Sequence, residues 1–187
     1  MVQTTPLQST RSIPAGRYLI DPAPTTVEFT ARTLGLFSVR GRFLDVSGTI
    51  DLAADPRQSQ VNVRVAAGSL QTRIGQRDAH LTSPTFLDAA AHPTLRFRST
   101  SLEPAGYHWR LTGDLTVHGV TRPVTLDIQP LSPSPDDGRL RLTATALLRR
   151  SEFGVARWRL VISDAVTVIV HAEATPFIPD NDGSQVL

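Results

Sequence analysis

The segment Arg77-Asp78-Ala79-His80-Leu81 comes nearest to a chemical site by residue type. A guanidinium and an imidazole so close in sequence could meet a phosphate or other hydrogen-bond-accepting oxygen, with Asp78 orienting one of them. The structural alternative, which the residues favour, is that the Arg77–Asp78 pair pins a helical insertion to the wall of the fold. The remaining reactive residue types do not assemble by spacing. His80, His92, His108, His118 and His171 fall on separate elements, with no paired i, i+4 histidines and no cysteine partner, so no metal site is expected. No nucleophile-elbow pattern supports a Ser–His–Asp hydrolase, and no glycine loop is shaped to cradle phosphate. No catalytic residues are assigned, and the chain is not expected to be an enzyme. The rival readings are an enzyme on the same fold, with His80 or His118 as acid/base toward a small amphiphile, and an interaction protein with a solid core. Arg149, Arg150, Arg157 and Arg159 around Trp158 could face anionic lipid or nucleic acid. Glu152 and Asp164 dilute that charge, and a solvated strand face is the expected reading.

These side chains need a scaffold, and bulk composition bounds it. A chain of 187 residues, 40% hydrophobic and 19% charged, suits one globular domain. All its basic residues are arginine, which explains a pI near 9.9 at a net charge of only +2. The high pI is therefore no sign of a nucleic-acid partner, and none is expected. With no cysteine there is neither a disulfide framework nor a thiolate metal site. No apolar run is long enough to span a bilayer, so stable membrane insertion is not expected. The polar start MVQTTPLQSTRSIPAG lacks the apolar stretch of a secretory signal, which gives cytoplasmic location as the expectation.

Alternation of period two dominates the chain. Strands are expected over Gly16–Ile20, Thr26–Leu34, Arg42–Leu52 (weakened or bulged at Gly48), Val61–Val65 and Thr94–Leu102. Gly35–Gly41 reads either as a helical turn or as a kinked strand continuation. Residues 107–129 form a hairpin that turns at His118-Gly119 and restarts after Pro123. Further strands follow at Arg139–Leu148, Trp158–Ile162 and Ala165–Thr175. Only Thr72–Pro93 departs from this rhythm. There Ser83-Pro84 has the residues of a helix start, with Pro93 as its stop, and Ile74–Leu81 could add a turn or two. Residues 1–15 are expected to be a disordered N-terminal arm, 16–175 the folded domain, and 176–187 a disordered C-terminal tail. Eight to ten strands without a βαβ rhythm imply a sandwich or an up-and-down barrel, and periodicity alone does not separate them.

Several segments, in order, resemble the YceI-like family of lipid-binding proteins, also described as polyisoprenoid-binding. They include Tyr18-Leu19-Ile20-Asp21-Pro22, Val39-Arg40-Gly41-Arg42-Phe43, Arg77-Asp78-Ala79-His80-Leu81 and Phe86-Leu87-Asp88. His92-Pro93, Gly113-Asp114-Leu115-Thr116 with Gly119-Val120-Thr121-Arg122-Pro123-Val124, and Arg150-Ser151-Glu152-Phe153-Gly154 complete the series. The resemblance implies an all-β, eight-stranded antiparallel lipocalin-like barrel with a short helical insertion. It implies an apolar interior for a long-chain amphiphile, such as an isoprenoid quinone or polyprenyl phosphate. It also implies binding, storage or transport of that lipid, with no cofactor other than the bound lipid or quinone. Many family members carry an export signal and are periplasmic, a pattern from which this sequence departs. A homodimer is left open.

Within such a barrel the inferred inward positions are small: Val27, Ala31, Val61, Val63, Val65, Ala144, Ala146, Val166 and Val168. An eight-stranded barrel lined this way can leave room for one ligand. A bound tail would gain roughly 25 cal/mol per Å² of apolar area removed from water. The expected lining residues are Phe29, Phe37, Phe43, Leu81, Phe86, Phe97 and Trp109, with Arg77 and His80 toward the head group.

Overall fold

Alternating residues produce strands through most of the chain. The computed structural model describes residues 13–33, 37–129, 132–133, 138–155 and 162–178. Its first half comprises β1 (Gly16–Ile20), β2 (Thr26–Thr33), β3 (Phe37–Phe43), β4 (Val46–Leu52), β5 (Gln60–Ala66), β6 (Leu70–Gln71) and the helix α1 (Gly75–Thr82). The second half comprises β7 (Thr94–Ala105), β8 (His108–Val117), β9 (Val120–Ile128), β10 (Ser132–Pro133), β11 (Leu140–Arg149) and β12 (Ile162–Pro176). Every pairing is antiparallel.

The sheet closes on itself, which decides for a barrel over a sandwich. β11 pairs with β12 along its whole length and with β9 at Ala144↔Ile128 and Thr145↔Asp127. Three pairs of segments act as single staves. β1 and β2 follow one another along one edge of β12, β4 and β3 pair with them in turn, and β5 and β6 pair with β4 and β3. With β7, β8, β9, β11 and β12 this gives the eight-stranded antiparallel barrel, with β10 added beside β11.

The two ends differ. At one end Tyr18, Ile20, Ile50, Leu140 and Ala174 form a cluster in which every residue is buried. Toward the other end the ladder between β9 and β11 stops, and β6 has no partner after β3. The barrel therefore splays there. A single 3₁₀ turn, Arg150–Phe153, follows β11, and α1 follows β6.

The helix forms at Gly75–Thr82, where Ile74–Leu81 is expected to add a turn or two, and the helix expected to start at Ser83-Pro84 does not form. Ser83 ends α1 instead of starting a second helix: its Oγ donates to the His80 carbonyl at 2.7 Å. Its Ser-Pro signal is local, whereas the donors of Leu87 and Ala89 turn back to the carbonyls of Leu81 and Thr82. Those are carbonyls that a helix end leaves without intrahelical partners, so residues 83–92 fold as turns.

Other boundaries also move. Gly48 pairs in register with Val63, without a bulge. The interruption falls instead at Leu44-Asp45, whose amides are capped by Ser69 Oγ. Of the two readings for 35–41, strand continuation holds from Phe37. β9 begins at Val120 and runs through Pro123, opposite Asp114. A bulge absent from the sequence reading lies in β7, between Ser99 and Ser101. The expected arm lies outside the described residues up to position 12, while Ile13 packs on the core. Most of the tail, positions 179–187, and positions 158–161 of the expected strand Trp158–Ile162 also lie outside them, while Ile162 begins β12.

Candidate lipid-binding cavity

The barrel contains two cavities that meet at Leu148 and Val168. The narrow one, about 130 Å³, lies toward the sealed end. The wide one, about 430 Å³, lies toward the splayed end. Strand alternation builds both. Along β11, Leu142, Ala144 and Ala146 line the narrow cavity; along β12, Ala172 and Val170 do so, and Val166 continues into the wide one. Along β2 the wall passes from Val27 to Phe29 and Ala31 in the same direction. Val63, Phe97, Leu126 and Val170 point inward yet remain half-buried, because part of their surface borders the cavity.

Small residues make this volume, and one glycine shows how tightly the wall is set. Gly41 lies opposite Phe29 in the β2–β3 ladder, and a Cβ there would come within 2.5 Å of the Phe29 ring. The phenyl ring covers the glycine, a pairing that reinforces curved sheets. It also packs at 5.9 Å from Phe43, so two expected lining residues form one part of the wall.

Ionisable residues line only the wide cavity, where they are Arg77, His80 and Arg150; the narrow one has Thr25 as its polar residue. Asp78 accepts from the Thr72 backbone N–H at 2.7 Å and from the Thr72 hydroxyl. Arg77 Nε donates to Thr72 Oγ1 at 2.8 Å and its Nη2 to the Thr72 carbonyl at 3.0 Å. The Arg77–Asp78 pair thus anchors α1 to the end of β6, as the structural alternative requires. Arg77 is also among the residues that line the wide cavity. His80 is more exposed and stacks edge-on against Phe86, with ring centroids 5.0 Å apart.

Arg150 is the polar residue that sequence reasoning placed elsewhere, in a solvated patch. It is only 8% exposed. Its donors reach the carbonyls of Val155 and Ile162 at 2.8 Å and of Ser163 at 3.0 Å. A buried guanidinium held by main-chain carbonyls places positive charge in the wall. The available signal was its even spacing from the inward residues Ala144, Ala146 and Leu148. Arg157, Trp158 and Arg159 lie outside the described residues.

Most of the residues expected to line the interior do so: Phe29, Phe43, Arg77, His80, Leu81 and Phe86 in the wide cavity and Phe97 in the narrow one. Two do not. Phe37 shares a face with Val39 and Phe43 by alternation, but it begins β3 and is 70% exposed. Trp109 packs on the cluster of Leu102, Leu111, Ile128 and Ala144 and borders neither cavity.

The histidines are less scattered in space than along the chain. His92 and His118 meet with ring centroids 5.1 Å apart, beside Asp88. The signal in the sequence is the Asp88–His92 i, i+4 spacing. On the outer wall, Glu173 receives Arg139 at 2.9 Å and Arg141 at 3.1 Å. Hydrogen bonds from Arg141 and Arg139 hold its carboxyl below the usual glutamate value.

Comparison with known proteins agrees with this architecture. Residues 18–174 match the YceI-like domain family. A "UPF0312 protein" of Pseudomonas savastanoi pv. phaseolicola is 34% identical over 158 residues, covering 81% of this chain and 82% of that protein. The crystal structure of BcnA from Burkholderia cenocepacia superposes with a TM-score of 0.75 at 20% identity, over 83% of this chain and 99% of that one. A polyisoprenoid binding domain from Saccharophagus degradans, implicated in plant cell wall breakdown, gives a TM-score of 0.63 at 15% identity, over 88% and 100%. The family match spans the barrel from β1 to β12, and with it the chain belongs to the YceI-like family.

Proposed function

We propose that the barrel binds, stores or transports a long-chain isoprenoid lipid, an isoprenoid quinone or a polyprenyl phosphate, with its tail toward the sealed end and its head at the splayed end. One observation carries this reading: two apolar cavities adjoin at Leu148 and Val168, and the ionisable residues that line them all belong to the wider one. Hydrocarbon gains by leaving water for such a wall. A carbonyl or phosphate oxygen would be drawn to Arg77 and Arg150, since neither group can accept a hydrogen bond and both carry charge. The name of the Saccharophagus degradans relative, a polyisoprenoid binding domain, supports the same ligand class.

The proposed role is binding without catalysis. Arg77 and Asp78 are engaged in anchoring α1. Among the described residues lining the cavities there is no carboxylate or serine to act beside His80. Native mass spectrometry of protein purified from its own host, with organic extraction of the same sample, tests the reading. A prenyl lipid at near-stoichiometric amount is expected. Protein that carries no lipid and takes up none from prenyl-lipid micelles would overturn it.

A further inference from the structure

We propose that Asp88, His92 and His118 form a binding site for a divalent transition-metal ion of the zinc class. One ligand atom from each residue lies within 4.8 Å of the others. Two imidazoles and a carboxylate are a donor set that Zn²⁺ takes while keeping a further position open. Tetrahedral ligands about 2.0–2.1 Å from zinc stand roughly 3.3 Å apart, so modest side-chain rotation would close the set around an ion.

The backbone builds this juxtaposition from two separate segments. His92 N–H donates to the Asp88 carbonyl at 2.7 Å, closing one turn that puts the two side chains on a common face. His118 comes from the two-residue turn between β8 and β9, where Val117 pairs with Val120. Both central residues have positive φ, 51° at His118 and 74° at Gly119, as a type I′ hairpin requires. Asn or Gly is the usual first residue of such a turn; this chain places an imidazole there. Asp88 is also left-handed, at φ 46°, so two of the three ligands hold a conformation uncommon for residues with a side chain. Gly119 completes the fit: a Cβ there would come within 2.7 Å of the His92 ring.

Among the described residues, nothing else engages these three side chains by hydrogen bond or ion pair, and all three are half-buried. A structural turn needs neither histidine, whereas a metal needs both. Leu87 and Val117, chain neighbours of two ligands, line the wide cavity. A bound ion would therefore fasten residues 88–92 to the β8–β9 turn beside the mouth.

The test is titration of EDTA-treated, desalted full-length protein with Zn²⁺ by calorimetry and with Co²⁺ by visible absorption. One equivalent of Zn²⁺ should bind, Co²⁺ should show ligand-field bands, and Zn²⁺ should raise the thermal midpoint. Asp88→Asn, His92→Ala and His118→Asn should each weaken Zn²⁺ binding by at least about tenfold, since even groups supporting a ligand contribute that much. His118→Asn suits the left-handed turn, so its loss of binding would not reflect a broken hairpin. His171→Ala, on the outer wall beside Thr143, should bind as wild type. Absence of stoichiometric binding would overturn the site, as would binding undiminished in any of the three ligand variants.

Discussion

Blocking the neck between the two cavities separates a bore that reads tail length from a barrel that merely has a greasy mouth. Ala146 lies directly opposite Val168 in the β11–β12 ladder and lines the narrow cavity, and Val168 borders both cavities. In Ala146→Phe a ring at this level closes off the narrow cavity of about 130 Å³. At about 30 Å³ for a water-sized group, that volume holds roughly four carbon groups. Each buried methylene contributes about 0.8 kcal/mol, so the blocked space is worth about 3 kcal/mol to a tail that reaches it. That corresponds to about 200-fold in Kd. Fluorescence competition with two prenyl amphiphiles of one head group, one reaching the neck and one stopping short, measures the difference. The long ligand should weaken by about two decades and the short one hardly at all. Equal losses for both, or none for either, would refute the depth ordering. Overpacking costs about 1–3 kcal/mol of stability, so thermal melts must first show a folded variant.

Four further outcomes follow from the same geometry. Phe97→Asp puts a carboxylate into the narrow cavity and should abolish tail uptake; a folded variant with wild-type uptake would remove Phe97 from the lining. His80→Ala removes the most exposed polar lining group and should change affinity by less than about tenfold in the same competition assay. Asp78→Ala orphans the buried Thr72 amide and should cost about 1–3 kcal/mol in urea unfolding, with faster hydrogen exchange over Gly75–Thr82; unchanged exchange would mean that α1 is held by other contacts. Because Glu173 titrates below its unfolded value, its pairing with Arg139 and Arg141 stabilises the fold above the usual glutamate range. That contribution is lost as pH falls through the folded value, so thermal midpoints of wild type and Glu173→Gln should differ near neutrality and converge in acid.

Strands were legible because alternation is a local signal. The faces of β2, β5, β11 and β12 could be assigned from Val27, Val63, Ala144 and Val168 without knowing their partners. Closure was not legible, since whether Ile128 meets Ala144 depends on contacts between distant segments. Ser83-Pro84 misled because an acceptor side chain followed by proline suits a helix start, yet the same pair can stop one. Phe37 and Trp109 carry the right residue type on an inward parity, but they lie where the cavity no longer runs. Arg150 was read as a surface charge because its three carbonyl partners come from residues up to Ser163. The meeting of Asp88, His92 and His118 joins a turn to a hairpin, and the chain spacing between His92 and His118 contains no sign of it.

The buried cluster of Tyr18, Ile20, Ile50, Leu140 and Ala174 makes the barrel a sock with a closed toe. A lipid bound as proposed would enter and leave by the same opening, foot first on the way in and head first on the way out. A recipient enzyme or bilayer would thus meet the reactive end of the lipid before its hydrocarbon is released. Chains longer than the sock would keep their surplus outside it, still in water, until another apolar surface takes it up.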